Sequence, residues 1–545
     1  MRTIRPQLIS TAPSAIWVNN PVPIALKRTI QLLLCACIVH VAQAAKRPNI
    51  VLFITDDQSW DSLGFMGGKV HTPRLDRMAK EGLFLTDFNV TSTVCSPSRY
   101  SFLTGRFAGR CEGERFLAEH PPGDQTQVEN IGELEPDRWN IAKVLQQNGY
   151  TTGFVGKSHV VRHDWLVVGN GKGRKAALES YPQDADPRDP KINARMRRNH
   201  QKWAYEIRRH GFDFADGIYA ANLKELQCDA LNVHNLDWTV AKAFKFLEDN
   251  KDNPFFLYFS TTLHHGPAPW ANRFSLNADP RMTGEGFVKE GFDVLPSRGD
   301  VLRRNRAAGF KDRDAYALWL DDGVGALLDK IRSLGLERDT LFIFVPDHGS
   351  YRHGKATLYD YGMRVPMLLQ WKGTIKPGTK YDGLVANIDL APTIMDVCGI
   401  EPPADYQFDG ISFKPILFGE RKPLRDVLFA ELGHSRAVKT KRWKYIAIRY
   451  PDDIEKRINQ GRLFNGFKGE KLKRPYLTRN GHLGHYAAAK NPNYFQPDQL
   501  YDLKADPEEH RNIMAQKPEV VRNLQKALSR ALKQFKNRPF GEFSK

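Results

Sequence analysis

A cysteine that could take part in a chemical reaction lies in the stretch TSTVCSPSRYSFLTG, residues 91–105. Cys95 precedes a proline by two positions and Arg99 by four, and apolar residues with a glycine follow. A proline favours the first turn of a helix, so the stretch predicts a helix start with Pro97 at its first position. A helix N-terminus stabilises anions and lowers the pKa of a thiol, which makes Cys95 a candidate nucleophile. The alternative is a buried structural cysteine at a helix start.

A second set of side chains, suited to metal binding or acid–base work, follows apolar runs. Carboxylates are the ligands that hard divalent cations prefer, and imidazoles transfer protons or bind softer metals. Lysines beside a reacting group stabilise the negative charge that develops on it. The side chains are Asp56, Asp57, Lys157, His159, His264, His265, Asp347 and His348, with Lys355 shortly after the last pair. Any one of them alone has a structural explanation as well, since an aspartate pair can end a strand in a turn.

The elements that must position these residues are four apolar runs. The runs are NIVLFITDD (49–57), YTTGFVGKSH (150–159), PFFLYFSTTLHHGP (254–267) and DTLFIFVPDHG (339–349). Near-continuous apolar runs are typical of strands that are covered on both faces, as in a parallel sheet. Amphipathic helical patterns alternate with them, so the order predicts an α/β sandwich. Because ligands bind at the carboxyl ends of strands in open α/β sheets, the polar clusters should converge on one rim.

The length of 545 residues suggests two domains, although large α/β enzymes can exceed the average domain size. We expect a signal peptide at residues 1–44, a catalytic domain at 45–420 and a smaller α+β domain at 421–545. Within the last of these, residues 435–448 predict a strand and residues 518–535 predict a terminal helix.

The N-terminus has the features of an export signal. Two basic residues at 27–28 precede the apolar run TIQLLLCACIVHVAQA, which is short for a membrane span and ends in Ala-Gln-Ala at 42–44. We expect cleavage after Ala44, since a lipoprotein site at Cys37 fits the pattern less well. No later run is long enough for a transmembrane segment. The sequence therefore predicts an exported protein, either periplasmic or secreted.

The charge of the chain limits its partners. Cleavage removes four basic residues and no acid, which lowers the formal net charge from +18 to +14. A basic exported protein suits an anionic partner, such as a polyanionic polysaccharide, an anionic surface or nucleic acid. The chain has no zinc-finger spacing, no aromatic RNA-binding motif and no basic zipper, so we expect no nucleic acid partner.

The mature chain keeps Cys95, Cys111, Cys228 and Cys398, which are too few for a disulfide framework. If Cys95 has a chemical role, the other three allow at most one bridge.

Taken together, the motifs resemble those of the sulfatase family. CSPSRYSFLTGR resembles the signature C-x-P-x-R, whose cysteine is oxidised after translation to formylglycine (3-oxoalanine). GKSH, HHGP and PDHGSYRHGKATLYDYGMRVP resemble the family's G-K-x-H, H-x-P and metal-ligand segments, and LYDLKADPEEHRNI resembles its C-terminal motif. The matches occur in the family's order from about residue 47 to 515. The resemblance implies an alkaline-phosphatase-like fold, which is a large mixed, mostly parallel sheet sandwiched by helices, with a smaller C-terminal α+β domain.

The resemblance also implies a role for each site residue. Catalytic roles fall to Cys95, Arg99, Lys157, His159, His265 and Lys355, and the metal ligands are Asp56, Asp57, Asp347, His348 and Cys95. A hydrated formylglycine offers two hydroxyls, of which one attacks sulfur and the other later loses a proton so that sulfate leaves. By resemblance, His159 assists that release and His265 is the general acid for the leaving oxygen. His264 is expected to neighbour the site rather than to act in it.

The residue after Asp347 departs from the commoner family pattern. Asparagine is commoner there, whereas this chain has His348, as do members that resemble iduronate sulfatases, choline sulfatases and phosphonate monoester hydrolases. Calcium prefers oxygen ligands, and imidazole nitrogen suits manganese or zinc better. We therefore expect one divalent ion, Ca²⁺, with Mn²⁺ as the alternative.

The leading hypothesis is an exported sulfatase that acts on a sulfated carbohydrate or polysaccharide and is matured by a formylglycine-generating enzyme. The alternatives are a phosphonate monoester or phosphodiester hydrolase on the same scaffold, and an inactive homologue that binds sulfated glycans. Residues 160–215 are charged and poor in large apolar side chains, which predicts a surface insertion. We expect substrate specificity to lie in that insertion and in residues 435–490.

Overall fold

The computed structural model describes residues 47–162, 178–351, 354–478 and 481–541. The signal peptide predicted at residues 1–44 lies outside this part of the chain.

The described residues form short and long strands together with α-helices, numbered here in chain order. The strands are β1 (Asn49–Thr55), β2 (Leu83–Leu85), β3 (Phe88–Asn89), β4 (Thr151–Lys157), β5 (Phe214–Tyr219), β6 (Phe255–Ser260), β7 (Met282–Thr283), β8 (Gly286–Phe287), β9 (Thr340–Pro346), β10 (Met367–Gln370), β11 (Thr379–Tyr381), β12 (Val385–Ala386), β13 (Leu428–Leu432), β14 (Ser435–Lys439), β15 (Trp443–Ile448), β16 (Phe464–Asn465), β17 (Lys471–Leu472) and β18 (Asp498–Asp502). The helices are α1 (Pro73–Glu81), α2 (Cys95–Thr104), α3 (Glu114–Glu119), α4 (Ile141–Gln147), α5 (Pro190–Arg208), α6 (Leu236–Asp249), α7 (Arg298–Ala307), α8 (Ala315–Ser333), α9 (Asp360–Met363), α10 (Leu390–Val397), α11 (Lys414–Leu417), α12 (Asp452–Asn459), α13 (Gly481–Lys490) and α14 (Pro518–Leu532).

The largest sheet has eight strands in the order β11-β2-β10-β9-β1-β6-β4-β5. The central neighbours from β9 to β5 are parallel, as are β2 and β11. Only β10 runs antiparallel to its neighbours β9 and β2 within this sheet of described residues. The four apolar runs of the sequence are the strands β1, β4, β6 and β9. The prediction of a mixed, mostly parallel sheet is therefore confirmed.

The sequence of strand β1 is apolar on both faces because each face packs into an apolar cluster. All of its residues are buried. Ile50, Leu52 and Ile54 join one apolar cluster, whereas Val51 and Phe53 join a second one, as the alternation of side chains along a strand requires. The first cluster includes residues of α2, α4, α5 and α10, and the second includes residues of α1, α6 and α8. Helices therefore cover both faces of the sheet, which confirms the predicted sandwich.

A smaller antiparallel sheet follows near the C-terminus, in the order β13-β14-β15-β18. The terminal helix predicted at residues 518–535 is α14, which packs on β14 and β15 and buries Val521, Leu524 and Leu528. The apolar cluster of this sheet also contains Val94 and Phe107 from the N-terminal half of the chain. The domain boundary near residue 420 stays a prediction.

Residues 435–448 do not form the single strand that was expected. They form a hairpin of β14 and β15, closed where the backbone N–H of Thr440 donates to the carbonyl of Trp443 at 2.7 Å. The reversal falls on three polar residues between two runs of strand-forming residues, so the two strands look like one in the sequence.

The expected surface insertion is instead partly a core element. Its helix α5 packs against β5 and buries Met196, Trp203 and Ile207. The charged residues of α5 lie on the other face of an amphipathic helix, and their number hides the apolar stripe in a composition count. Residues 163–177 of the expected insertion lie outside the described residues.

Within the described part of the chain, Cys95, Cys111, Cys228 and Cys398 are all free thiols. The bridge that the cysteine count allowed is therefore not formed between them. None of the described helices combines the length and the apolarity that crossing a membrane requires.

We predict that Phe53→Ala lowers the free energy of unfolding by about 3–5 kcal/mol, because it removes a fully buried ring from the centre of the sheet. The ring of Phe53 lies 4.7 Å from that of Phe259, centroid to centroid. The matched control is Phe418→Ala, which removes the same atoms from a side chain that is 59% exposed. Urea denaturation of the two variants measures the difference. Equal losses in both would contradict the assignment of Phe53 to the core.

Candidate active site

The strands of the large sheet bring the predicted residues to one rim. In the β1–β9 pair, Thr55 lies opposite Pro346, so Asp56 and Asp347 leave neighbouring strands at the same level. In the β4–β6 pair, Gly156 lies opposite Ser260, which puts Lys157 at the same edge. The carboxyl ends of four parallel strands therefore deliver side chains that are far apart in sequence to one place, as predicted.

Helix α2 brings the cysteine to this rim. The helix begins at Cys95 itself, so Pro97 is its third residue and not the first, as expected from the sequence. The hydroxyl of Ser98 donates a hydrogen bond to the backbone carbonyl of Asp347, which ties the first turn of the helix to the end of β9. Cys95 is 1% exposed. Its sulfur thus lies inside the rim at a helix N-terminus.

Arg99 joins the helix to four strand ends, those of β1, β4, β6 and β9. Its Nε donates a hydrogen bond to Asp347 Oδ2 at 3.0 Å, and its Nη2 lies 2.9 Å from the same oxygen and 3.5 Å from Asp56 Oδ2 as an ion pair. The guanidinium also donates to the hydroxyl of Ser260 and, at 3.3 Å, to the backbone carbonyl of Lys157. Burial disfavours a charged group, but Asp347 outweighs it and raises the pKa of Arg99 further above its usual range. Arg99 is therefore a permanent buried cation that neutralises the acidic strand ends.

Four predicted side chains surround the sulfur of Cys95. The Nζ atoms of Lys157 and Lys355 lie 3.8 and 3.7 Å from it, Asp56 Oδ1 lies 3.8 Å away and His348 Nε2 lies 3.3 Å away. Burial alone would raise the pKa of the Cys95 thiol, but the two lysines outweigh it and the net shift is downward. This position therefore favours an anion.

The two lysines are paired with the two aspartates that follow β1. Lys157 Nζ donates to Asp56 Oδ2 and, at 2.8 Å, to Asn222 Oδ1, and Lys355 Nζ donates to Asp57 Oδ1 at 2.6 Å. Burial raises the pKa of Asp56, but Lys157, followed by His265 and Arg99, brings it well below the usual range. Burial raises the pKa of Asp57 to about 6, against the opposing effect of Lys355. At the rim, each of these buried negative side chains therefore lies next to a buried positive one.

A cluster of possible metal ligands lies among these charges. One ligand atom each from Asp56, Cys95, Asp347 and His348 lies within 4.8 Å of all the others. His348 Nε2 is also 3.4 Å from Asp57 Oδ1. Carboxylate oxygens with one imidazole form a donor set suited to a divalent cation.

Two properties of His348 fit metal binding. Its Nδ1 lies 2.9 Å from the carbonyl of Gly349 and must donate there, so Nε2 is the nitrogen that faces the carboxylates. Burial opposes protonation of His348, but Asp347 and Cys95 raise its pKa to about 9. The field of these groups therefore attracts positive charge to Nε2, and the same field would attract a metal ion.

The two predicted catalytic histidines follow β4 and β6. The backbone N–H of His159, a residue with a φ of +53°, donates to the carbonyl of Ala220 at 2.8 Å. Burial, with Lys355 and Lys157, holds the pKa of His265 well below its usual value. Burial also lowers the pKa of the neighbouring His264, to about 4. His265 therefore shares the electrostatic environment of the two lysines and is neutral near pH 7.

The loop that carries Lys355 is held from two sides. The backbone N–H of Ala356 donates to the carbonyl of Thr93 at 3.0 Å, just before Cys95. On the other side, Asp360 accepts from Lys439 at 2.9 Å and from Lys444 at 2.5 Å, and its backbone N–H donates to Glu509 at 2.5 Å. Lys444 also contacts Glu509 at 2.8 Å. The small sheet and the C-terminal motif thus anchor a loop of the site.

The sequence reasoning missed Asn222, which binds Lys157. This residue lies three positions after the end of β5, so the rule that placed the other polar residues at strand ends applies to it as well. The run FADGIY of β5 has an acid and a glycine in its middle and was not recognised as a strand.

The chain is similar to known proteins over most of its length. The Sulfatase family model matches residues 48–400, and the model of the C-terminal region of N-sulphoglucosamine sulphohydrolase matches residues 347–457. N-acetylgalactosamine-6-sulfatase of Mus musculus is 27% identical over 415 residues, which cover 71% of this chain and 69% of that protein. N-acetylglucosamine-6-O-sulfatase of Bacteroides thetaiotaomicron is 23% identical and covers 97% of this chain and 94% of its own.

A solved structure from work on glycosaminoglycan metabolism by Bacteroides thetaiotaomicron has the same fold. It superposes with a TM-score of 0.61 at 21% identity, and the match covers 90% of this chain and 100% of that one. The family match extends over most of the catalytic region that was expected from the sequence. This chain therefore belongs to the sulfatase family and is a sulfuric ester hydrolase.

Proposed function

We propose that this chain is an exported sulfatase that hydrolyses sulfate esters of a sulfated carbohydrate, using a formylglycine made from Cys95 and a bound divalent metal ion. The observation that carries the proposal is the position of Cys95. It is the first residue of a helix, it is buried, and two lysines, an aspartate and a histidine lie within 3.8 Å of its sulfur. A residue at this point meets positive charge from two sides.

The sugar substrate is supported by the relatives and by the charge of the chain. The two relatives named above are sulfatases of N-acetylgalactosamine and N-acetylglucosamine by name. The formal net charge of +14 that the chain would have after cleavage at Ala44 suits a polyanionic substrate.

The nucleophile is the proposed formylglycine at position 95, which supplies a geminal diol that can attack sulfur and afterwards release sulfate. The residues around this position supply positive charge. Lys157 forms an ion pair with Asp56, and Lys355 forms one with Asp57. Both Nζ atoms lie within 3.8 Å of the sulfur of Cys95. Their charges would stabilise the negative charge that develops on the sulfuryl oxygens. The N-terminus of α2 adds to this effect.

The metal ligands that we propose are Asp56, Asp57, Asp347 and His348, together with the modified residue 95. A divalent ion bound there supplies Lewis-acid polarisation of the ester oxygen and of the nucleophile. Ca²⁺ is the proposed ion because most of the donors are oxygens, and Mn²⁺ is the alternative because of the imidazole. Arg99 forms ion pairs with both Asp347 and Asp56 and orients them for this task.

Proton transfer is assigned to the two histidines. His265, beside the lysines, is proposed to protonate the leaving alcohol, and an anionic substrate would favour its protonated form. His159 is proposed to accept the proton when sulfate is released. We also propose export to the periplasm or to the outside of the cell through residues 1–44, and maturation by a formylglycine-generating enzyme.

We predict that Cys95→Ala lowers kcat for sulfate release by about a thousandfold or more, because it removes the nucleophile. The matched control is Cys228→Ala, a cysteine whose sulfur donates to the backbone carbonyl of Ala185 at 3.5 Å, and it should keep the wild-type rate. Ion chromatography of released sulfate measures both. Mass spectrometry of the tryptic peptide 81–99 from protein matured by a formylglycine-generating enzyme should show an aldehyde. Full activity of Cys95→Ala, or an intact thiol in active protein, would refute the mechanism.

We predict that a chelator abolishes activity and that Ca²⁺ restores it. Asp347→Asn should weaken the apparent metal affinity by more than about tenfold, since loss of even an outer partner of a metal site has that effect. The control is Asp329→Asn, which changes an acid in a surface ion pair. Metal content by mass spectrometry and calcium-dependent thermal shift give readouts besides activity. A chelated protein that retains its full rate would rule out the metal, and better restoration by Mn²⁺ would favour the alternative ion.

The second candidate, a phosphonate monoester or phosphodiester hydrolase, is favoured by one observation, the imidazole of His348 at 3.3 Å from the sulfur of Cys95. For the proposed sulfatase, kcat/KM for para-nitrophenyl sulfate should exceed that for bis-para-nitrophenyl phosphate and for a phenylphosphonate monoester by at least about tenfold. The reverse order in the same preparation would identify the second candidate instead.

A further inference from the structure

Four aromatic side chains form a continuous row of ring contacts. Ring centroids lie 6.2 Å apart for Trp270 and Tyr351, 5.7 Å for Tyr351 and Tyr486, and 6.2 Å for Tyr486 and Phe467. We call these four residues the aromatic row. They come from three separate parts of the chain, so the fold and not the sequence assembles them.

The row begins at the rim that holds the site. Tyr351 lies between His348 and Lys355, in a turn where the backbone N–H of Lys355 donates to the carbonyl of Ser350 at 3.1 Å. Trp270 follows His265 by five residues, on the loop after β6. The near end of the row therefore lies on the two loops that also carry His265, His348 and Lys355.

The row presents apolar surface to solvent. Trp270 is 56% exposed and Tyr486 is 38% exposed, whereas the largest aromatic side chains of the core, such as Trp238 and Trp319, are fully buried. Contiguous exposed aromatic surface is typical of ligand-binding sites. Flat rings offer a platform for the C–H faces of sugar rings while leaving their hydroxyl groups in water.

The far end of the row is basic. The segment 462–474, which contains Phe467, has five lysines and arginines and one acid. Lys468 Nζ lies 5.4 Å from the ring centroid of Phe467. Positive charge beside an aromatic platform suits a ligand that combines apolar ring faces with anionic groups. A sulfated oligosaccharide has both features, whereas a neutral glycan uses only the platform.

We propose that the aromatic row binds the sugar residues next to the one whose sulfate is cleaved, so that the enzyme prefers sulfated oligosaccharides over sulfated monosaccharides. This inference rests on the proposed function, since it takes the reacting sulfate to lie at Cys95. The occupant is one sulfated glycan chain, with its sugar faces on the rings and its other sulfates near segment 462–474.

The test uses the full matured chain and a panel of glycosaminoglycan and carrageenan oligosaccharides, with the matching sulfated monosaccharides. For each variant we compare the ratio of kcat/KM for the best-cleaved oligosaccharide to kcat/KM for its monosaccharide. Trp270→Ala and Tyr486→Ala should each lower this ratio by about tenfold, because each variant removes one aromatic contact with the oligosaccharide. Trp270→Phe should retain most of it. The matched control is Tyr205→Ala, a tyrosine on α5 that is 58% exposed, and it should leave the ratio at the wild-type value.

A second readout does not need turnover. Isothermal titration of Cys95→Ala protein with the same oligosaccharides should show binding that Trp270→Ala weakens by about the same factor. If both row variants leave the ratio and the binding unchanged, or lower the rates for both substrate sizes equally, the row only packs the loops together and the inference is wrong. If wild-type protein releases no sulfate from any substrate, the proposed function fails, and unaltered oligosaccharide binding by the row variants would then overturn the inference as well.

Discussion

The site depends on the burial of opposite charges at the end of the sheet. Asp56 and Asp347 leave neighbouring strands at the same level, and such buried carboxylates repel each other unless cations lie between them. Arg99 on helix α2 forms ion pairs with both carboxylates, and Lys157 at the end of β4 forms an ion pair with Asp56. Because Arg99 is on the first turns of α2, satisfying these carboxylates also fixes where Cys95 lies. One electrostatic requirement thus positions both the ligand cluster and the nucleophile.

The main features of the fold and the site could be predicted from the sequence because both follow from strand ends. Four continuous apolar runs were recognisable as buried parallel strands, and the polar residues after them had to meet on one rim. Most of the site residues sit there in the structure, and Asp56, Lys157, His348 and Lys355 surround Cys95.

What could not be predicted depended on contacts between distant segments. Asn222 was missed because β5, with Asp216 and Gly217 inside it, lacks a continuous apolar run. Helix α5 was taken for a surface insertion because its charged face dominates its composition, although Trp203 packs in the core. The aromatic row joins residues up to 216 positions apart, from Trp270 to Tyr486, and no local pattern marks such a set.

The anchor of the Lys355 loop has a consequence for the order in which the protein is made. Asp360 and Glu509 are separated by 149 positions, whereas the last strand of the large sheet ends at Tyr381. During synthesis, all strands of the large sheet therefore emerge from the ribosome well before Glu509 and Lys444 are both present to hold Asp360. A nascent or C-terminally shortened chain that ends before Glu509 keeps the Thr93 side of the anchor but lacks one of the groups that hold Asp360. The second side of the anchor of this loop is thus formed only after nearly the whole chain has been made.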